Sequence, residues 1–295
     1  MSSLVKYRSP YIDSGRWDEF PFRQGDIVIS TRSKSGTTWV QMICALLIFQ
    51  TPDLPKPLPE MSPWLEHLVA PKEEVFARLA AQRHRRFIKT HTPLDGVPID
   101  PQVTYIVVGR HPLDVAVSQY HMYDNLDRER LRALTHRSER PGSSESGLPL
   151  RDWLLQWMNK DVAPADDLSS LPAVMWHLSD AWERHLRQPN VLLVHYDDLL
   201  GDLAGEMRRL AGALNISVPE VAWPALVDAA TFDNMKSRAD RLAPTTGGLL
   251  KDETLFFRRG ESGSGRELLT EFEFARYERR TRQLAPADLL RWLHR

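Results

Sequence analysis

At 295 residues, 42% hydrophobic and 26% charged, the chain can bury a full core in one large α/β domain or two smaller ones. Lysine and arginine total 38 against 39 acids, so no net field recruits nucleic acid or a membrane surface, and any anion site has to be local. The single cysteine, Cys44, excludes an internal disulfide framework, and no apolar run reaches the length of a membrane span.

Met1 to Tyr11 carry no apolar stretch of the signal-peptide kind, so a cytoplasmic protein without stable membrane insertion is expected. Residues 1–25 are punctuated by Pro10, Gly15, Pro21 and Gly25 and read as an irregular segment lying over the fold. Ile27, Val28 and Ile29 then form a short apolar run of the type buried in a parallel sheet. Ser30 to Gly36 is small, polar and basic. From Thr37 the pattern turns helical, with Trp39, Met42, Ile43, Leu46 and Leu47 on one face.

This strand–loop–helix delivers Lys34, Ser35, Gly36, Thr37 and Thr38 to a helix N-terminus, where backbone N–H groups lack partners and the dipole adds positive charge. The result is an anion cradle suited to phosphate. It is not the standard nucleotide loop Gly-x-x-x-x-Gly-Lys-Ser/Thr, because Lys34 precedes Gly36 and no glycine occupies the first position.

Downstream, the proline-rich stretch from Thr51 to Pro63 cannot be regular, Trp64, Leu65 and Leu68 suggest a short helix, and Lys72 to Gln82 a surface helix. Arg86 to His91 and Val103 to Gly109 read as strands, the second followed by a helix from about Leu113 with Pro112 in its first turn. Residues 127–150, rich in Arg, Glu, Ser, Pro and Gly, read as a mobile lid loop. Helices are expected around 150–159 and 172–187, a strand over Asn190–Tyr196 and a helix over Leu203–Leu214. Alternating strands and helices predict one α/β domain, residues 1–295, with a mostly parallel sheet covered on both faces. Arg276 to Arg282 reads as a solvated helix face, whereas Arg258-Arg259-Gly260 precedes a glycine-rich turn able to fold over a phosphate.

Arg110 leaves a strand end, where open α/β sheets place ligands, and Ser118 follows two helical turns later. The run Lys34-Ser-Gly-Thr-Thr-Trp39 resembles the 5′-phosphosulfate loop of the soluble sulfotransferases that use 3′-phosphoadenylyl sulfate (PAPS). Arg110-x-Pro-x-Asp114-x-x-x-Ser118 is similar to their 3′-phosphate element, and Lys89-Thr90-His91 to their Lys-Thr-His segment. Tyr196-Asp-Asp-Leu199, Thr231-Phe232-Asp-Asn-Met235 and Arg258-Arg259-Gly260 resemble three further elements, all in the family's order. The chain is thereby identified as resembling a bacterial type of that family, with its P-loop-like fold.

The resemblance implies sulfuryl transfer from PAPS to a hydroxyl, less readily an amine, yielding adenosine 3′,5′-bisphosphate (PAP). It implies His91 as general base, Lys34 and Lys89 as catalytic cations, and no metal. Nucleotide contacts are implied for Lys34 to Thr38, Trp39, Arg110, Ser118, Tyr196, Thr231, Phe232, Met235, Arg258, Arg259 and Gly260. The acceptor could be a phenol, alcohol, lipid or glycan. Two departures stand out: Gly260-Glu-Ser-Gly263-Ser264-Gly265 lacks the family's Asp-Trp, and the animal enzymes' dimer motif is degraded to Arg266…Thr270-Glu271…Ala275. The alternatives are an atypical P-loop small-molecule kinase and a catalytically silent nucleotide-binding protein.

Overall fold

A computed structural model describes residues 4–135, 147–244 and 248–295. Two short strands, β1 (Arg8–Ser9) and β2 (Ile12–Asp13), pair antiparallel and lead into a 3-10 turn over Ser14–Glu19. The expectation of an irregular N-terminal segment is corrected here. Asp13 caps the 3-10 turn by accepting from Gly15 N–H at 2.8 Å, and the turn drives Trp17 into the core with no exposed surface.

The central sheet has four parallel strands, β3 (Ile27–Ser30), β4 (Phe87–Thr90), β5 (Thr104–Gly109) and β6 (Val191–His195), in the order β4-β3-β5-β6. Side chains alternate across it as the pleat requires. Val28, Ile88, Tyr105, Val107 and Val191 enter one core with the helices Pro112–Asn125, Leu150–Asn159, Leu171–His185 and Glu271–Leu284. Ile27, Ile29, Phe87, Ile106, Val108 and Val194 enter the other, with α1 (Thr37–Phe49) and the Leu203–Ala213 helix. Both faces are dry, so continuous β-branched runs are what these strands need.

Register then decides the site. Ile29 pairs with Lys89, Ser30 with Thr90 and Val107, and Gly109 with His195. β3 and β4 therefore end together, β5 and β6 run two residues further, and the chain leaves the same edge of the sheet at Thr31, His91, Arg110 and Tyr196. Tyr196 opens a short helix, Tyr196–Gly201, rather than closing the strand.

Three other expectations fail. The stretch from Thr51 to Pro63 is not irregular throughout, because Leu58–Met61 forms a one-turn helix with Pro59 in its first turn, where a missing N–H costs nothing. Trp64 to Leu68 is not helical; Trp64 bridges in parallel to Lys89 at the sheet edge, and Leu65 N–H donates to the Lys89 carbonyl. Within 127–150, Arg128–Thr135 is a helix and another begins at Leu150, so the loop reading is too long. Asp127 caps the first by accepting from Arg130 N–H at 2.8 Å. The remainder of the expected lid, 136–146, lies outside the described residues.

Candidate active site

A cavity of about 710 Å³ opens above the strand ends. Its floor is the anion loop. Lys34 and Gly36 both take left-handed φ, 70° and 108°, the backbone form from which anion-binding turns are built. A Cβ on Gly36 would stand 3.1 Å from the Tyr196 ring, so glycine suits both the conformation and the packing. Thr37 and Thr31 share a hydroxyl–hydroxyl hydrogen bond that ties the loop's two ends together.

The site concentrates buried cations. Burial, then the charges of Arg110, Lys89 and Arg258, pushes Lys34 down to about 7, and its ammonium rests 3.8 Å over the Phe256 ring. Burial pushes Lys89 down to about 8 against the opposing pull of Glu66. Arg110 donates to the carbonyls of Lys34 at 3.1 Å and Glu261 at 2.9 Å, stacks 4.1 Å over Tyr196, and keeps a buried Nε without a partner. Among the described residues none of these three cations forms an ion pair with a carboxylate, and such a gathering calls for an anion of more than one charge.

His91 is 6% exposed. Its Nδ1 meets the Thr31 carbonyl at 2.6 Å and must donate to it, which leaves Nε2 as the lone-pair nitrogen. Burial, then Lys89 and Arg32, holds its pKa well below the ordinary value of about 6.5. The imidazole is thus neutral and able to accept a proton at Nε2. Its ring meets Trp64 edge-on at 4.6 Å.

Most residues named from the sequence meet here. Lys34, Gly36, Thr37, Thr38, Trp39, Lys89, His91, Arg110, Ser118, Tyr196, Phe232, Met235, Arg258, Arg259 and Gly260 line the one cavity. Trp39 is fixed by its indole N–H donating to the Ala230 carbonyl at 2.9 Å and by the Tyr196 ring at 5.3 Å. Ser35 and Thr231 are not among the residues that line it. Ser35 is buried in the turn, its N–H donating to the Arg32 carbonyl at 3.2 Å, and the Thr231 hydroxyl donates to the Asp228 carbonyl at 2.8 Å.

The loop that lacks the Asp-Trp is held by other contacts. Buried Asp114 accepts from Gly263 N–H and Gly265 N–H, each at 2.8 Å, and from the Ser264 hydroxyl at 3.3 Å, while Ser262 donates to Asp197. These bonds hold the 258–265 loop against the cavity. Gly260, at φ 69°, lies so close to Phe232 that a Cβ would come within 2.5 Å of the ring.

Sequence reading missed two residues. Arg32, two positions before Lys34, donates to the carbonyls of His91 and Leu168. Glu66 accepts from Thr90 Oγ1 at 2.7 Å, His91 N–H at 2.6 Å and Thr92 Oγ1 at 3.3 Å. A lone acid inside the run Trp64-Leu65-Glu66-His67-Leu68 was the available signal.

The sulfotransferase domain family matches residues 24–286. The chain belongs to the sulfotransferase family. It is 44% identical to the glycolipid sulfotransferase of Mycobacterium tuberculosis, over all of this chain and 95% of that one. It is 29% identical to sulfotransferase 1A1 of Bos taurus over 90% of this chain and 85% of the relative. The fold is shared with mouse sulfotransferase SULT7A1, solved in complex with PAP, at a TM-score of 0.67 and 23% identity over 95% of this chain and 92% of that one. Membership of this family sets aside the kinase alternative.

Proposed function

We propose that this sulfotransferase moves the sulfuryl group of PAPS to a hydroxyl of a lipid- or glycan-bearing acceptor, releasing PAP. The observation that carries the reading is a neutral histidine, its Nδ1 committed to a carbonyl, sharing one cavity with the anion loop and the Arg110–Arg258 cations. The residues fit a donor with two anionic ends: the Lys34–Thr38 loop for the phosphosulfate, and Arg110, Ser118 and Arg258 for a 3′-phosphate. Trp39, Phe232 and Met235 offer apolar surface between them for a purine.

His91 Nε2 takes the hydroxyl proton as the acceptor oxygen bonds to sulfur. The bond from sulfur to the donor's phosphate oxygen breaks, and its electron pair remains on phosphate. Lys34, the loop N–H groups and the α1 terminus stabilise that developing charge, with no reorganisation needed at the moment of transfer. Lys89 steadies the sulfuryl oxygens.

The acceptor class rests on the relative named a glycolipid sulfotransferase and on the cavity's other wall. That wall carries Tyr11, Tyr123, Trp153 and Trp157 beside Leu126, Leu131, Leu249 and Leu250, surfaces that suit a sugar face and an alkyl chain respectively. No helix among the described residues is long and apolar enough to cross a membrane. Action in the cytoplasm belongs to the same reading.

Calorimetric titration tests the donor assignment. PAP should bind at least about 100-fold more tightly than 5′-AMP, since a charge-assisted phosphate site adds several strong hydrogen bonds. Equal affinity for the two nucleotides would remove the 3′-phosphate assignment.

A further inference from the structure

Arg32 is a buried cation that the reaction as described does not use. It is 3% exposed and lies on the cavity wall. Nη1 donates to the main-chain carbonyl of His91 and Nη2 to that of Leu168, while Nε is buried without a partner. No ion pair to a carboxylate is formed by this guanidinium among the described residues. Burial pushes it down to about 10, against a smaller opposing pull from Tyr123, Tyr7, Glu66 and Asp167. A cation desolvated in this way is a net cost to folding unless its geometry serves something else.

What it joins is informative. His91 is tethered by its ring to Thr31, by its N–H to Glu66 and by its carbonyl to Arg32. Leu168 belongs to the stretch 160–169, which lines the same cavity through Lys160, Val162, Asp166, Asp167, Leu168 and Ser169. One planar fork therefore spans the base and the wall against which an acceptor rests.

We propose that Arg32 is a positioning residue for sulfuryl transfer: its fork fixes the His91 main chain against the Leu168 wall, so base and acceptor hydroxyl keep one spacing. The proposal rests on His91 being the base. Arginine is needed because two carbonyls must be reached at once by a rigid donor pair, which an ammonium on a flexible stem does not provide.

The charge has a separable effect. Facing His91 are Lys89 two residues before it, Arg32 from the anion loop, His177 from the Leu171–His185 helix, and Trp64 and Glu66 from the 62–70 segment, with His67 stacked on the Trp64 ring. Burial pushes His67 and His177 down to about 3, so both are neutral wherever His91 works. The charges that act on it are Lys89, Arg32 and Glu66.

Two variants separate fork from charge. Arg32→Lys keeps the cation and loses the fork, so kcat should fall about 10- to 100-fold, the usual consequence of a misplaced catalytic group, with the acid limb of kcat/KM unmoved. Arg32→Gln should lose kcat similarly and shift that limb upward by about half a pH unit or more, since a cation no longer opposes the imidazolium. PAP affinity should stay within about twofold in both, because neither change touches a phosphate ligand. Full kcat in Arg32→Lys overturns the proposal, and so does an Arg32→Gln variant whose limb does not move. Should Arg32→Gln not fold, the Arg32→Lys result decides alone. His91→Ala run alongside distinguishes the levels: full turnover there refutes the base assignment and the proposal with it.

Discussion

The latch on the loop that lacks the family's Asp-Trp can be tested through Asp114→Asn. The Asp114 carboxylate, 1% exposed, receives two glycine N–H groups at 2.8 Å and a serine hydroxyl at 3.3 Å. An amide keeps one acceptor oxygen but turns an NH₂ toward one of the glycine donors. At least one charge-assisted bond is lost, worth about 1.5–3 kcal/mol, which corresponds to about 10- to 150-fold in an equilibrium constant. Asp114 also lies near Arg258, whose charge it supports. Simple electrostatics therefore predicts the opposite outcome, because removing a negative charge beside a phosphate site strengthens anion binding. If the latch governs, PAP affinity falls by at least about tenfold and amide exchange over 260–265 accelerates, while the melting temperature changes little. Calorimetry with PAP and hydrogen-exchange mass spectrometry read both. Unchanged or tighter PAP binding would refute the latch.

Gly260→Ala should weaken PAP for a different reason, since φ 69° disfavours a side chain and the new Cβ would press on Phe232 at 2.5 Å; wild-type affinity in a titration would show that this close approach is dispensable. Nucleotide binding should also depend on pH. Ligand-free Lys34 sits at about 7 and Lys89 at about 8, and a bound polyanion raises both. Below the lower value both are already charged and binding takes up no proton. Above it each must protonate on binding, so PAP affinity falls as pH rises through 7 and 8, with proton uptake visible in buffers of different ionisation enthalpy. A flat affinity profile with no uptake would show that neither lysine is depressed.

The sheet and the anion loop were legible because their signals are local. Ile27–Ile29 and Thr104–Gly109 are compact β-branched runs, and α1 announces itself by its apolar spacing after Gly36. Arg110 and His91 were findable because each follows a strand end. What escaped depends on tertiary contact. The two-residue strands β1 and β2 are too short for any period, and Trp17 is a plug only because a core lies beneath it. Arg128–Thr135, reading Arg-Glu-Arg-Leu-Arg-Ala-Leu-Thr, looked like polar loop because just Leu131 of its described side chains is buried. Trp64 and Leu65 carry helical spacing yet pair with the sheet edge at Lys89. Arg32 and Glu66 owe their places near His91 to chain separations of 59 and 25 residues, which no local pattern records. Ser35 and Thr231 hold their motif positions yet stay out of the cavity lining: Ser35 is buried in the turn, and the Thr231 hydroxyl donates to the Asp228 carbonyl.

The most direct test of the account is transfer of sulfur label from PAPS to an amphipathic glycolipid, measured for the wild type and for His91→Ala with PAP affinity in parallel. The wild type should yield a labelled acceptor and PAP, and the variant should turn over about 10²–10⁴-fold more slowly with PAP binding retained. Undiminished transfer by His91→Ala, or loss of PAP binding equal to the loss of turnover, would contradict it.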